Sequence, residues 1–189
     1  MRIISGNLKG SKLYIAKNNT TRPLKDLVRE SIFNLLTHSN KFSFKLEQSN
    51  ILDLYSGTGA FGLECLSRCA KSVFFVENEK FAYKILEKNI EKLKLTKKTK
   101  VFCNDVFSLI KKKRISGLKF DLIFSDPPFK NTNIEQLIEL IFTSNLLNKK
   151  GIIILHRNKT TKEQFPDCFK LIDERIYGVS KITFGKFSF

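Results

Sequence analysis

Four consecutive residues, Asp126-Pro127-Pro128-Phe129, form the segment of this chain best suited to chemistry. They directly follow the apolar run 120–124, which predicts a buried strand. Two prolines stiffen the backbone and supply carbonyl oxygens without N–H donors. The Asp126 carboxylate and the Pro127 carbonyl can accept the two hydrogens of an aromatic amino group, and Phe129 can stack on the base that carries it. The segment therefore predicts a catalytic loop that acts on an exocyclic amine of a nucleic acid base.

A glycine-rich loop, Gly57-Thr58-Gly59-Ala60-Phe61-Gly62, lies between a predicted strand and a predicted helix. It matches the Gly-x-Gly-x-x-Gly dinucleotide pattern, and Glu77 lies where a ribose-binding acid is expected. These features alone would also suit the NAD site of a dehydrogenase. Asp53 separates the two hypotheses, because a carboxylate beside the glycine turn repels a pyrophosphate but attracts the amino and sulfonium cations of S-adenosylmethionine. The loop therefore favours the methyl donor.

Further residues at strand ends complete the predicted cofactor site. The Glu77 carboxylate can accept from both ribose hydroxyls, and Asp105 is placed to accept from the adenine amino group. Asp105 can equally cap the helix that begins there, and both interpretations stay open. The predicted cofactor-binding residues are Asp53, Ser56, Gly57, Thr58, Gly59, Glu77, Asn78, Asn104, Asp105 and Val106. No metal site is predicted, because the four cysteines form no Cys-x-x-Cys pair.

The elements that must position these residues alternate along the chain from residue 50. Strands are predicted at 51–55, 72–76, 100–103, 120–124 and 152–155, and helices at 61–69, 80–93, 106–113 and 134–147. This alternation predicts an α/β fold with a mainly parallel sheet covered by helices on both faces. Two final runs, 169–177 and 180–187, are joined by Tyr177-Gly178 and predict an antiparallel pair of strands.

Residues 1–48 are predicted to form an N-terminal extension on the substrate side, and residues 49–189 the catalytic domain. The glycine-broken alternation of residues 2–15 predicts a short hairpin. An amphipathic helix follows, with an apolar stripe of Leu24, Leu27, Val28, Ile32, Leu35 and Leu36. Arg22, Lys25 and Arg29 recur on the opposite face. They can line a phosphate track, although an ordinary solvated face has the same pattern.

The charge of the chain indicates a polyanionic partner. The formal net charge is +16 at pH 7, and cations gain affinity by releasing the counterions of nucleic acid phosphates. Lysine outnumbers arginine 27 to 7, which also fits the bias of an AT-rich genome, so the clustering of nine basic against three acidic residues in 1–50 is the better indicator. No apolar stretch approaches the roughly 20 residues of a membrane span, and a cytoplasmic protein is expected.

The N-terminal block Met1-Arg2-Ile3-Ile4-Ser5-Gly6-Asn7-Leu8-Lys9-Gly10, together with Thr21-Arg22-Pro23, Val28-Arg29-Glu30 and the two loops above, resembles the RsmD family of 16S rRNA guanine-N2 methyltransferases. The resemblance spans essentially the whole chain. It implies a Rossmann-like class I methyltransferase fold with a seven-stranded sheet and an antiparallel C-terminal strand. It also implies S-adenosylmethionine as donor, S-adenosylhomocysteine as product, and a guanine of 16S rRNA in the 30S subunit or an assembly intermediate as acceptor. A monomer is expected.

Some positions depart from the family pattern. Leu24 and Lys25 stand where threonines are usual, Cys69 replaces a common glycine, and His156 follows the fifth strand where an acid is frequent. None of these positions is expected to touch the chemistry. Two rival functions remain open: an adenine-N6 methyltransferase of DNA or RNA, because Asp-Pro-Pro-Phe serves any exocyclic amine, and a non-catalytic RNA-binding ribosome assembly factor of the same fold.

Overall fold

Seven strands form one sheet in the computed structural model, which describes residues 1–16, 24–130 and 133–188. The strands are β1 (Asn50–Leu54), β2 (Ser72–Glu77), β3 (Thr99–Cys103), β4 (Phe120–Ser125), β5 (Leu147–Asn158), β6 (Phe169–Tyr177) and β7 (Ser180–Phe187). Their order in the sheet is β3-β2-β1-β4-β5-β7-β6. The strands β1 to β5 pair in parallel, and β7 runs antiparallel to both of its neighbours. The predicted mainly parallel seven-stranded sheet is confirmed.

Helices cover both faces of the sheet. They are α1 (Asp26–His38), α2 (Ala60–Ser67), α3 (Lys80–Lys92), α4 (Val106–Lys111) and α5 (Ile134–Thr143). Side chains of a strand alternate between faces, so within β1 Ile51 joins the core under α1, α2 and α3, while Leu52 joins the core under α4 and α5. Burial on both faces explains why the central strands are nearly continuous apolar runs.

The order in which successive strands join the sheet reverses between β1 and β4, although the two strands run in parallel. From β1 the chain moves outward to β2 and β3, and it then returns to the other side of β1 as β4. The loops that follow β1 and β4 therefore separate above the sheet and leave a crevice at the carboxyl ends of these strands. Ligands of open α/β sheets bind at such a switch point. The glycine loop and the Asp126 segment are the two loops that border it.

Several predicted elements differ in length from the observed ones; α4, for example, ends at Lys111 and not at residue 113. Helix α5 ends at Thr143, because Asn145 adopts a left-handed backbone with φ 53° and the Leu146 N–H returns to the Ile141 carbonyl. Leu146 therefore precedes β5 and Leu147 begins it, and neither belongs to the helix. The predicted N-terminal hairpin is reduced to one antiparallel bridge between Arg2 and Lys12.

The N-terminal segment packs onto the sheet. Ile3 and Leu13 are buried in the same core as Ile51 and Phe124. The Glu64 carboxylate of α2 accepts hydrogen bonds from the backbone N–H groups of Ile4 (2.7 Å) and Ser5 (2.9 Å). The N-terminal segment is thus held directly by the helix that follows the glycine loop. The predicted domain boundary between residues 48 and 49 stays a prediction.

Helix α1 presents a different face to the core than the predicted stripe. Arg29 is fully buried, where it donates to the Arg2 carbonyl and to Asp26 and lies 3.8 Å from Glu64, whereas Leu27 is 69% exposed. The expected exposed position of Arg29 is therefore wrong. Phe33, which the predicted stripe left out, shifts the buried face by one residue so that Arg29, Ile32, Phe33 and Leu36 lie along it. The Arg29 guanidinium therefore lies in the interior, beside the Asp26 and Glu64 carboxylates, instead of facing solvent.

Residues 1–16, 24–130 and 133–188 contain neither a helix that could span a membrane nor a metal-binding group of side chains. No helix there has the length and apolar character to cross a bilayer. No group of three or more His, Cys, Asp or Glu side chains there is arranged to hold a metal ion.

Candidate active site

A cavity of about 610 Å³ opens at the carboxyl ends of β1 and β4. The end of β1 and the glycine loop form one wall, and the Asp126 segment forms the opposite wall. The N-terminal segment contributes a third, through Met1, Ala16 and Leu24. The remaining lining residues are Asp53, Tyr55, Ser56, Gly57, Thr58, Ala60, Phe61, Glu77, Asn78, Glu79, Asp105, Phe107, Phe124, Asp126, Pro127, Pro128, Phe129, Asn133 and His156.

The turn after β1 depends on left-handed backbone at three positions. Tyr55, Gly57 and Gly59 have φ values of 57°, 55° and 86°. A Cβ on Gly59 would lie 2.3 Å from Leu86 Cδ1, so this glycine allows α2 to pack against α3. A Cβ on Gly57 would meet no protein atom within 4 Å, so a ligand can approach this backbone closely. Tyr55 is strained for a non-glycine residue, a feature typical of functional sites.

Asp53 is buried at the floor of the cavity. Its Oδ2 accepts from the Gly62 N–H (2.9 Å), whereas its Oδ1 is enclosed and has no hydrogen-bond partner among the described residues. Burial raises the pKa of Asp53 well above its usual range, and the neighbouring charges of Asp126 and Glu77 raise it further, against the lowering effect of the Gly62 N–H. A cation beside Oδ1 would favour the ionised carboxylate.

Glu77 ends β2 and organises the rim of the cavity. Its Oε2 accepts from the Gly57 N–H (2.6 Å) and its Oε1 from the Glu79 N–H (2.8 Å). The side chain of Glu79 in turn accepts from the N–H groups of Phe81 and Ala82 and caps α3. These bonds fix the Glu77 carboxylate beside the glycine turn, where it lines the cavity.

The Asp126-Pro127-Pro128-Phe129 segment is held from behind by two adjacent residues of β5. Asp126 Oδ1 lies 2.7 Å from His156 Nδ1. The buried Arg157 donates to the carbonyl oxygens of Pro128 (3.1 Å) and Phe129 (3.3 Å) while its Nε pairs with Glu163 (2.7 Å). The loop is therefore preorganised by charged and hydrogen-bonded side chains.

The cavity is acidic although the chain is strongly basic. Its lining includes the five carboxylates Asp53, Glu77, Glu79, Asp105 and Asp126, and the lining drawn from the described residues holds no Lys or Arg. This potential disfavours a pyrophosphate and favours a cationic ligand.

Comparison with known proteins gives the family. A family described as "Conserved hypothetical protein 95" matches residues 1–186. Ribosomal RNA small subunit methyltransferase D of Haemophilus influenzae is 32% identical over 179 residues, which cover 95% of this chain and 90% of that protein. The chain therefore belongs to the family of ribosomal RNA small subunit methyltransferase D. The same-named protein of Buchnera aphidicola (subsp. Baizongia pistaciae) is 34% identical over 160 residues, covering 85% of this chain and 77% of that protein.

Solved structures agree with the family. The candidate methyltransferase yhhF of Escherichia coli superposes with a TM-score of 0.83 at 26% identity, and the match covers 98% of this chain and 96% of that one. The predicted family and the predicted methyltransferase fold are confirmed. Membership in this family makes the chain a methyltransferase.

The structure brings most of the predicted site residues of the chain together in one cavity. Asp53, Ser56, Gly57, Thr58, Glu77, Asn78, Asp105 and all four residues of the Asp126-Pro127-Pro128-Phe129 segment line it. Gly59, Asn104 and Val106 do not. Gly59 immediately precedes α2, Asn104 donates its N–H to the Glu77 carbonyl, and Val106 is the buried first residue of α4. Asp105 lines the cavity and also caps α4 by accepting from the Ser108 N–H (2.9 Å).

The three predicted substrate contacts fall in different places. Lys25 is exposed, immediately before α1 and beside Leu24 of the cavity wall. Arg29 is enclosed in the interior, as described above, and Arg22 lies outside the described residues.

His156 is the main functional candidate that sequence reasoning missed. The expectation that it does not touch the chemistry is wrong, because it lines the cavity and contacts Asp126. The available signal was its position on the strand next to β4, since neighbouring parallel strands end at the same edge of the sheet. Arg157 and Tyr55 gave no comparable signal, because a strand arginine and a strand-end tyrosine are usually exposed.

Proposed function

We propose that this chain transfers a methyl group from S-adenosylmethionine to the exocyclic N2 amine of a guanine in 16S rRNA. The observation that carries the proposal is the acidic cavity of a strongly basic chain, with the amine-accepting Asp126-Pro127-Pro128-Phe129 segment as one wall. Relatives that align with nearly the whole chain are named ribosomal RNA small subunit methyltransferase D, which supports the acceptor.

The residues of the opposite wall fit the donor. The partnerless Oδ1 of Asp53 suits a cationic amino group, the open approach to Gly57 suits a closely bound ligand, and the fixed Glu77 carboxylate suits ribose hydroxyls. When bound, S-adenosylmethionine supplies an electrophilic methyl group on a positively charged sulfur. The cavity lining drawn from the described residues holds no Lys or Arg side chain that would repel this charge.

The Asp126 segment positions the acceptor. The Asp126 carboxylate and the Pro127 carbonyl accept the two amino hydrogens, so the nitrogen lone pair points toward the methyl donor. Phe129 stacks on the base and holds its ring in the cavity. Catalysis is by orientation and does not require a strong base, because the amine becomes acidic only as the new N–C bond forms. Asp126 then accepts the released proton.

The substrate is polymeric and the contacts outside the cavity are electrostatic. We propose that the exposed Lys25, at the start of α1, contacts a phosphate near the cavity entrance. The monomeric enzyme then acts in the cytoplasm on 16S rRNA within the 30S subunit or an assembly intermediate.

The direct test uses 30S subunits that lack the modification. Incubation with isotope-labelled S-adenosylmethionine, digestion to nucleosides and mass spectrometry should give labelled N2-methylguanosine. Labelled N6-methyladenosine would contradict the proposal and identify the protein as an adenine-N6 methyltransferase. Binding of S-adenosylmethionine without any labelled nucleoside in 30S subunits or naked 16S rRNA would favour the non-catalytic assembly factor.

Asp53→Asn is expected to weaken S-adenosylmethionine binding roughly 10- to 100-fold, since a charge-assisted contact contributes about 1.5–3 kcal/mol. At pH values above the raised pKa, the same change should raise the melting temperature of the ligand-free protein by about 2–6 °C, because the native side chain is then a buried carboxylate without a full set of partners. Calorimetry and thermal unfolding measure the two effects. The exposed Asp167→Asn serves as the control and should change neither. Unchanged affinity in Asp53→Asn would contradict the assignment of Asp53.

The raised pKa of Asp53 also predicts a pH dependence. The native ligand-free state keeps the proton of the Asp53 carboxyl group to higher pH than the unfolded chain does. The stability of the native state therefore falls as the pH rises from the usual aspartate pKa through the raised native pKa of Asp53. Ligand affinity should rise over the same interval, because a cationic ligand requires the ionised carboxylate. Both slopes should be smaller in Asp53→Asn, as thermal unfolding and calorimetry at several pH values would reveal.

Gly57→Ala is expected to weaken S-adenosylmethionine binding at least about tenfold, with a loss of roughly 1 kcal/mol in folding stability from the left-handed backbone. Gly117→Ala is the matched control, because Gly117 also has a positive φ and open space around its Cβ position but lies outside the cavity lining. It should lose similar stability and no affinity. Equal affinity losses in the two variants would show that strain alone explains the effect.

A further inference from the structure

A chain of hydrogen bonds runs from the cavity into the sheet through His156. Its Nδ1 lies 2.7 Å from Asp126 Oδ1, and its Nε2 lies 2.9 Å from Ser180 Oγ. Ser180 lies at the start of β7, two residues from Ile182, which pairs with His156 across the antiparallel β5–β7 ladder. His156 and Ser180 are both nearly inaccessible to solvent, with exposures of 3% and 4%. The ring is thus fixed at both nitrogens.

The partners determine how the ring is protonated. An ionised carboxylate only accepts, so the proton of a neutral ring lies on Nδ1 and is donated to Asp126. Nε2 then accepts from the Ser180 hydroxyl, which can donate. The arrangement has the same three residue types as a hydrolase triad, but Ser180 is buried and outside the cavity lining, whereas Asp126 lines the cavity. The reactive end of the chain is therefore the carboxylate.

His156 also supports the aromatic residue of the segment. The rings of Phe129 and His156 meet edge to face, with centroids 5.5 Å apart. One buried imidazole thus contacts the residue that accepts the amine and the residue that stacks on the base.

The hydrogen bond from His156 leaves Asp126 as an acceptor toward the cavity. It uses Oδ1, and the Asp126 side chain remains 20% exposed. Guanine presents two neighbouring donors on one edge, the N1–H and the N2 amine, which match the two oxygens of a carboxylate. Adenine presents its amine beside an N1 lone pair, which would face the carboxylate acceptor to acceptor. An Asp126 side chain that only accepts hydrogen bonds therefore distinguishes the two bases.

We propose that His156 is a positioning residue that keeps Asp126 a pure hydrogen-bond acceptor, and that this acceptor selects guanine by its N1–H together with its N2 amine. The inference rests on the proposed function and goes beyond it by assigning the choice between guanine and adenine to the His156–Asp126 pair. The adjacent Arg157 donates to the backbone carbonyls of Pro128 and Phe129, which do not vary with the base.

The test compares guanine with 2-aminopurine at the methylated position of reconstituted 30S subunits. 2-Aminopurine keeps the exocyclic amine but has a lone pair at N1, so the native protein should use it roughly 10- to 100-fold less efficiently in kcat/KM, the cost of one mismatched buried hydrogen bond. His156→Leu should lower kcat on guanine and reduce the preference for guanine over 2-aminopurine in kcat/KM to within about threefold. His156→Asn has nearly the same size as the leucine variant and keeps a donor near the Nδ1 position, so it should retain most of the preference.

The variants separate the outcomes. 2-Aminopurine also lacks the O6 of guanine, but a contact to O6 would contribute equally in the native and His156→Leu proteins, so only the change in preference tests the pair. An unchanged preference in His156→Leu, or equal use of both bases by the native protein, would overturn the inference. Absence of methylation at guanine by the native protein would instead overturn the proposed function. If His156→Leu does not fold, Ser180→Ala, which removes only the hydroxyl behind the ring, should lower the preference, and an unchanged ratio there would overturn the inference.

Discussion

Asp126→Ala is expected to reduce kcat for methyl transfer roughly 100- to 1000-fold, the usual effect of removing one preorganised hydrogen-bonding group from a reacting centre. The loss follows because the amine then rotates freely and its lone pair no longer points at the methyl donor. Single-turnover transfer of labelled methyl groups to 30S subunits measures it. Affinity for S-adenosylmethionine should be largely kept, because the loss of one attracting carboxylate is offset by easier ionisation of Asp53.

Asp126→Asn is the matched variant for this experiment. It keeps one acceptor oxygen and replaces the other by a donor, so its kcat should lie between those of the native and alanine proteins. Near-native turnover in Asp126→Ala would rule out catalysis by orientation through this carboxylate. Loss of S-adenosylmethionine binding in the same variant would show that Asp126 serves the donor and not the base.

Glu64→Ala is expected to lower the free energy of unfolding by about 3–5 kcal/mol, the usual cost of leaving one partner of a buried ion pair alone. The Glu64 carboxylate accepts from the Ile4 and Ser5 N–H groups and from Arg68 (2.8 Å), and it lies beside the buried Arg29. For a chain of this size the melting temperature should fall by roughly 6–20 °C. Thermal unfolding and hydrogen exchange at Ile4 and Ser5 would measure the loss of stability and of protection.

Glu91→Ala is the control for Glu64→Ala, because Glu91 is an exposed glutamate on α3. Its melting temperature should stay within about 2 °C of the native value, since surface substitutions are usually near neutral. A similarly small change in Glu64→Ala would contradict the role of Glu64 as an anchor of the N-terminal segment.

The fold was predictable because local patterns determine it. Period-two and period-3.6 spacing located the strands and helices, and the glycine turn with Asp53 located the end of β1. The predicted bounds of helices were wrong where a single residue decides them. Asn145, in a left-handed conformation, ends α5 before the apolar pair Leu146-Leu147, which the predicted helix included. On α1, leaving out Phe33 misplaced the buried face and with it Arg29.

The candidate site was only partly predictable, because some of its features come from contacts between distant segments. Asp126 and His156 lie 30 positions apart, and only the pairing of β4 with β5 brings them together. The charge of the cavity was also hidden: the chain carries +16 overall, yet carboxylates from several strand ends converge at its centre. Composition reports a sum of charges, whereas a ligand responds to their arrangement.

The anchoring of the first residues by Glu64 has a consequence for synthesis of the protein. Ile4 and Ser5 leave the ribosome before Glu64, whose codon is translated about 60 residues later, which at bacterial elongation rates means a wait of roughly 3–12 s. During that time the Glu64 carboxylate is not available to their amides. The oldest part of the nascent chain thus waits for α2 before it can be anchored, and the wall that Met1 contributes to the cavity is completed only after α2 has emerged.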